Sequence, residues 1–291
     1  VFLTAHRLIT FSAGSYGAVY ECEDVSSGSR VAVKEISNLS TDNETGIPVT
    51  TLREIMCLSL MKHSPNVNTL RSVFIEKQHV YLVMELGEQT LSDVISDGKL
   101  TLCQKITMSK SLIRSIYQIH DNGIMHRDLK PDNILVGSDY TCCLIDFGLA
   151  KVSNPSNPDL DHCLYCLVQT LWYRSPEVLL EKKTHASTID VWSVGCIIAE
   201  IFLGEPLFEG NTQVDCILKI FHCLGTPRNL ASYGFCCDVP WPKFKRPSQF
   251  CHGRLDDICP KSIIDILEKM LVIDPRKRIT IDKLHAIVQH L

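Results

Sequence analysis

Residues 126–148 read HRDLKPDNILVGSDYTCCLIDFG. Two short apolar runs, ILV and CCLI, flank the turn-forming GSDY, which is the pattern of an antiparallel hairpin. Asn133 stands just before the first run and Asp146 just after the second. An antiparallel return therefore brings an amide oxygen and a carboxylate side by side although thirteen positions separate them. Two converging oxygens suit a hard cation such as Mg²⁺, which takes a few protein oxygens and leaves room for phosphate. Asp128 and Lys130 lie just upstream on the same loop. A carboxylate there can accept a proton from a hydroxyl while the amine neutralises a phosphoryl group in transit.

Outward from this stretch the chain changes character. Before GEQT at 87–90 it reads mostly as strands: RLITF, AVYECEDV, RVAVKEI and HVYLVMEL, bounded by Gly, Ser and Asn turns. One helix interrupts them, VTTLREIMCLSLMK, beginning near Pro48, a residue suited to a first helical turn. After GEQT the spacing is helical in LTLCQKITMSKSLIRSIYQIHDNG, DVWSVGCIIAEIFLG, TQVDCILKIFHCLG and KSIIDILEKMLVI. The length of 291 residues is comfortable for two packed units at about 100–200 residues each. No internal repeat or low-complexity segment stands out.

Composition narrows the class. With 45% hydrophobic and 21% charged residues the chain is neither disordered nor fibrous. Its 29 basic against 33 acidic residues, a net charge of −4, argue against a nucleic-acid binder. Of the 14 cysteines, only Cys163 and Cys166 have C-x-x-C spacing; the others are single or adjacent, as in Cys142/Cys143 and Cys236/Cys237, without the two such pairs of a zinc site. They read as reduced thiols filling core positions. The N-terminus lacks an apolar leader, and the longest apolar run, VGCIIAEIFLG, is interrupted by Glu200 and too short to span a bilayer. These features lead us to expect a soluble cytoplasmic or nuclear protein without a membrane partner. A chain that begins at Val1 reads as an excerpt of a longer one.

HRDLKPDN, DFG and, at 175–177, SPE resemble the catalytic loop, metal loop and Ala-Pro-Glu region of eukaryotic protein kinases. The resemblance covers essentially the whole chain. It implies an α+β bilobal fold, with a small antiparallel-sheet lobe at 1–86 carrying one key helix at about 48–62, and a mainly helical lobe at 87–291 containing an activation segment at 146–177. By position, Asp128 becomes the catalytic base, Lys130 a γ-phosphate contact, and Asn133 and Asp146 the metal holders. Lys34 of VAVKEI matches the strand lysine that holds the α- and β-phosphates of ATP, and Glu54 matches its helix partner. The glycine loop appears as Ser12-Ala13-Gly14-Ser15-Tyr16-Gly17, with only the first glycine of G-x-G-x-x-G replaced. Phe11, Gly14, Gly17, Val19, Ala32 and Leu135 surround the nucleotide in this alignment. Met84 matches the residue at the back of the adenine pocket, and the backbone of Glu85, Leu86 and Gly87 is the hinge that binds the base. Glu177 is expected to pair with Arg278 in a structural salt bridge.

Three stretches narrow the resemblance to cyclin-dependent kinases: GIPVTTLREI, similar to the PSTAIRE helix; TLWYRSPEVLL; and LFEGNTQVDCILKIFHCLGTP. The first implies a cyclin-like activator, and the chain alone is expected to be a monomer. Leu52 and Glu54 are two residues apart, about 200° around a helix, so a Glu54 facing the nucleotide turns Leu52 away from it. The resemblance also implies Ser/Thr-Pro substrates, because Arg174 occupies the carbonyl of Val168 or Gln169 and leaves the neighbouring pocket without a backbone acceptor; Thr170 belongs to the same substrate surface. The family's activating threonine falls on Tyr165. Of the three cations that would hold its phosphate, Arg53 and Arg127 are kept, and the third is Lys151, which lacks a bidentate grip. Either Tyr165 is phosphorylated, or the loop is ordered by partner contacts and its own Leu164, Leu167 and Val168; the second is preferred because a tyrosine phosphate stands farther from the backbone. Ser15 and Tyr16 match an inhibitory phosphorylation pair. The alternatives are a pseudokinase scaffold or a kinase of MAP-kinase type.

Overall fold

The computed structural model describes residues 7–14, 17–37, 46–76, 79–152, 170–181, 186–228 and 241–289. Strands β1 (Arg7–Gly14), β2 (Gly17–Asp24) and β3 (Ser29–Ser37) are followed by helix α1 (Val49–Leu60) and strands β4 (Leu70–Glu76) and β5 (His79–Glu85). The five strands form one antiparallel sheet in the order β1-β2-β3-β5-β4. At the first turn Gly14 pairs with Gly17. Gly17 has φ 137°, and a Cβ there would lie 2.0 Å from the Glu35 carbonyl oxygen, so no side chain can stand at this position.

β4 escapes the sequence pattern. Its residues LRSVFIE are mostly exposed on the sheet edge, so no alternation of apolar and polar side chains marks it. Helix α1 forms as read, with Pro48 at its N-cap, one position before its first turn. One face buries Thr51, Glu54, Cys57 and Leu58, at helical spacing. The opposite face is also apolar but exposed: Val49, Leu52, Met56 and Leu60.

The rest of the chain runs β6 (Gln89–Thr90), α2 (Leu91–Ser96), α3 (Leu102–Asp121), β7 (Ile124–Met125), a 3₁₀ turn (Pro131–Asn133), β8 (Ile134–Val136), β9 (Cys142–Leu144) and β10 (Lys151–Val152), then α4 (Pro176–Leu179), α5 (Thr188–Leu203), α6 (Gln213–Leu224), a 3₁₀ turn (Phe250–Gly253), α7 (Lys261–Met270) and α8 (Ile281–Val288). Reciprocal side-chain caps start α2 (Thr90 with Asp93) and α3 (Thr101 with Gln104), satisfying amides that a helix start leaves open. Helix α5 is apolar on nearly every side and lies in the middle of the core, between α3 and α7. Two acids, Asp190 and Glu200, are buried along it. Among the described residues no helix is long and apolar enough to cross a membrane.

The cysteines depart in part from expectation. Cys22, Cys57, Cys142, Cys196, Cys216 and Cys259 are buried thiols, but Cys103 is exposed, and Cys223 and Cys251 form a disulfide with Cα atoms 4.6 Å apart. The end of α6 packs on the second 3₁₀ turn and brings these two together across 28 positions, a separation that short-range cysteine spacing does not reveal. Cys163, Cys166, Cys236 and Cys237 lie outside the described residues.

Candidate active site

Lys34 points from β3 toward α1, where Nζ donates to Glu54 Oε1 at 2.8 Å and Oε2 at 2.9 Å, and it also reaches Asp146 Oδ1 at 3.1 Å. Burial alone would strip the charge from Lys34, but the carboxylates of Glu54 and Asp146 outweigh it and hold its pKa above the usual lysine value. Burial likewise works against the Asp146 charge, and Lys34 more than compensates, keeping that carboxyl below the usual range.

The hairpin forms as the sequence predicts. Ile134 pairs with Leu144, and the Ile145 amide donates to the Asn133 carbonyl at 3.1 Å, so Asn133 and Asp146 emerge at the same end. Asn133 Nδ2 donates to the Asp128 carbonyl at 2.8 Å and to Asp128 Oδ2 at 2.9 Å. Lys130 Nζ lies 3.8 Å from the same carboxylate oxygen. Both Arg127 (φ 68°) and Asp146 (φ 61°) adopt the left-handed backbone region that costs a side-chain-bearing residue energy, so the surroundings must enforce it.

For Arg127, Asp190 supplies that enforcement. Its carboxylate, 1% exposed in α5, accepts the His126 amide at 2.8 Å and the Arg127 amide at 2.9 Å, and it bonds His120 Nε2 at 2.8 Å. Burial would raise its pKa, but the hydrogen bond to His120 and the electrostatic influence of His120 and His126 outweigh it and keep the carboxyl below its usual value. His126 in turn links the two loops, through Nε2 to the Ile145 carbonyl at 3.0 Å and by ring contact with Phe147. Sequence reasoning missed Asp190; the available signal was an acid in the first turn of a mostly apolar helix.

On the adenine side, Ala32 and Met84 are paired across β3 and β5, and Val19 pairs with Lys34. The Glu85 amide is spent on the Thr69 carbonyl, its carbonyl accepts from Asn68 Nδ2, and its carboxylate grips Arg71. The hinge donors not engaged within the described chain are therefore those of Leu86 and Gly87. Gly87 is seated on Leu135: a Cβ there would fall 2.5 Å from a Leu135 methyl. Phe11 and Gly14 lie on β1, whose backbone alone is described, whereas Ser15, Tyr16, Tyr165 and Val168 lie outside the described residues.

Arg127 donates through Nε to the Leu149 carbonyl at 2.7 Å and through Nη2 to that of Ala150. Arg53 and Arg127 both act electrostatically on the Cys57 thiol, which burial pushes up to about 11. Lys151 lies on β10, paired with Met125 of β7. Thr170 and Arg174 belong to the segment that leads into α4, where Glu177 forms the foreseen pair with Arg278, at 2.6 and 2.9 Å and fully buried.

A sequence model of the protein kinase domain matches residues 7–290. The chain belongs to the protein kinase family. It is 35% identical over 288 residues to a probable cyclin-dependent kinase 10 of Dictyostelium discoideum, covering 96% of this chain and 76% of that protein. It is 33% identical over 273 residues to cyclin-dependent kinase D-1 of Arabidopsis thaliana, covering 93% of this chain and 67% of that one. The kinase is thus of cyclin-dependent type, and ATP use follows from its family. The residues present also fit a divalent cation. Both side-chain hydrogen bonds of Asn133 run through Nδ2, which leaves its Oδ1 available, and the Asp146 carboxyl, held below its usual pKa, meets Lys34 through Oδ1 and accepts the Gly148 amide. Mg²⁺ needs few protein oxygens when phosphates and water complete its shell.

Proposed function

We propose that this kinase transfers the γ-phosphate of ATP to serine or threonine followed by proline, and that a cyclin-like protein seated on α1 switches it on. The observation that carries the reading is the buried Lys34–Glu54–Asp146 contact standing beside the Asp128–Asn133 bond. In this reading Lys34 neutralises the α- and β-phosphates, and the Leu86 and Gly87 backbone receives adenine over Leu135. Asn133 and Asp146 hold Mg²⁺, which when bound draws charge from the transferred phosphoryl group. Asp128 orients the substrate hydroxyl and takes its proton as oxygen bonds to phosphorus and ADP leaves; Lys130 offsets charge on the phosphoryl oxygens. Positioning and electrostatics carry this chemistry.

The activator is argued from the outer face of α1. Val49, Leu52, Met56 and Leu60 are exposed, Leu52 at 49%, and Val73 and Ile75 on the neighbouring β4 extend the apolar area. A helix that is apolar on two sides needs a cover on both. A cyclin-like protein there would bear on the helix that carries Glu54, and so on the Lys34 pair.

The test is phosphate transfer to Ser-Pro and Ser-Ala peptides, by the chain alone and with a panel of cyclins. Preference for Ser-Pro and dependence on one cyclin are expected. Leu52→Glu should weaken cyclin affinity by roughly 30-fold or more, as loss of a central apolar anchor does, with ATP affinity retained. Full activation of that variant would remove α1 as the docking face.

A further inference from the structure

The end of α6, the stretch leading into the second 3₁₀ turn and the end of α7 enclose a cavity of about 360 Å³ that shares no lining residue with the phosphate-transfer site. Its walls are tied together. The Cys223–Cys251 disulfide joins α6 to the turn. The Thr226 amide donates to the Phe244 carbonyl at 3.0 Å, and the Thr226 hydroxyl donates to the Pro242 carbonyl at 2.6 Å and accepts the Phe244 amide at 3.0 Å. Gly225, at φ 87°, permits this approach, since a Cβ there would fall 2.9 Å from the Arg246 backbone. Arg246 and Lys277 line the cavity together with two acids, Glu268 and Asp274. Asp274 is already neutralised by Arg276, which grips both of its oxygens at 2.9 and 3.0 Å. Glu268 is exposed and is followed by Lys269, while Lys243 and Lys245 stand exposed beside Arg246. Among the described residues, the side chains of Lys243, Lys245, Arg246, Lys269 and Lys277 take part in no hydrogen bond or ion pair. A chain with a net charge of −4 thus gathers uncompensated cations around one cavity, and such a concentration attracts anions.

We propose that this cavity docks a phosphoserine or phosphothreonine of a protein substrate that has already been phosphorylated once. A phosphate monoester carries about −1.5 to −2 charges and calls for two cations. Arg246 offers a fork that can bind two of its oxygens, and Lys277 a point charge within the same cavity. The Ser248 hydroxyl and the Gln249 amide, also on the wall, are further donors. The enzyme's own product supplies the group, so a substrate with several target residues would be held at one while another reaches Asp128. That role rests on the Ser-Pro transfer reading; the anion site itself does not.

The competing account is a solvated basic surface with no occupant. A Ser-Pro peptide joined to a phosphoserine through Gly/Ser linkers of about 10, 20 and 30 residues separates the two accounts, because a docked phosphate raises the local concentration of the target serine. At one linker length or more, the wild-type enzyme with its activating cyclin should favour this peptide over its unphosphorylated twin by about 10-fold in kcat/KM, chiefly through KM. That ratio should fall toward one in Arg246→Glu and in Lys277→Glu, both surface changes that leave transfer to the short Ser-Pro peptide unaltered. A ratio near one in the wild type at every length, a ratio that survives both substitutions, or an equal gain from glutamate in place of phosphoserine overturns the site. Fluorescence anisotropy of the labelled phosphopeptide, with alanine in place of the target serine, reads docking without turnover. Phosphate-dependent binding that Arg246→Glu abolishes, without any transfer to Ser-Pro, would count against the proposed Ser-Pro activity and leave the anion site standing.

Discussion

Asp128→Asn is expected to lower kcat by roughly 10²- to 10⁴-fold, the contribution of a positioned base, with ATP affinity and melting temperature little changed. Asparagine keeps the size of the side chain and an oxygen to accept from Asn133 Nδ2, so the 2.9 Å bond that orients both residues has a replacement. What is lost is the capacity to take a proton. Single-turnover transfer to a Ser-Pro peptide, with ATP binding measured by calorimetry, separates the two effects. A drop of less than about 10-fold would mean that the hydroxyl proton leaves by another route.

Asp190→Ala should have the opposite signature, with stability and activity falling together. The substitution leaves the His126 and Arg127 amides buried without an acceptor, each costing about 1–3 kcal/mol, and it removes the clamp on the strained Arg127 backbone. A loss of roughly 2–6 kcal/mol in denaturant unfolding is the expected sum. Asp190→Asn should fall between, since one amide oxygen cannot serve donors that arrive on both carboxylate oxygens. The pH dependence has a definite sign. A carboxylate whose pKa is depressed by folding contributes in full above the ordinary aspartate value of about 4 and loses that contribution as pH falls through its lower folded value. The gap between wild type and Asp190→Asn should therefore be constant at neutral pH and narrow only in strong acid. Unfolding curves that coincide at pH 7 would show that Asp190 holds nothing in place.

The parts of this molecule that were legible in its sequence are those where local chemistry and long-range structure agree. The ILV–GSDY–CCLI pattern contains its own turn, and the juxtaposition of Asn133 with Asp146 follows from it by geometry alone. The outward face of Leu52 follows from helix periodicity once Glu54 is known to point inward. The Lys34–Glu54 pair could be anticipated only through the family resemblance, because nothing near Lys34 in sequence specifies a partner on α1. Asp190 and the Cys223–Cys251 pair went unread for the same reason: their partners are distant backbone amides or a turn fixed only when the helices pack. β4 went unread because an edge strand with little buried surface carries little pattern.

The hairpin that joins Asn133 to Asp146 also governs where this chain can change length. Its tip, Gly137 to Thr141, is closed by its own bonds, with the Gly137 amide donating to the Thr141 carbonyl and the Asp139 carboxylate accepting from Thr141. Residues added there would lengthen the tip and leave the Ile134–Leu144 register untouched. One residue added inside β9 would instead turn each following side chain to the opposite face and carry Asp146 away from Asn133. Lineages of this fold are therefore free to vary at the tip of the hairpin and bound to keep its arms, and a reporter sequence grafted after Ser138 is the insertion that the phosphate-transfer site should not notice.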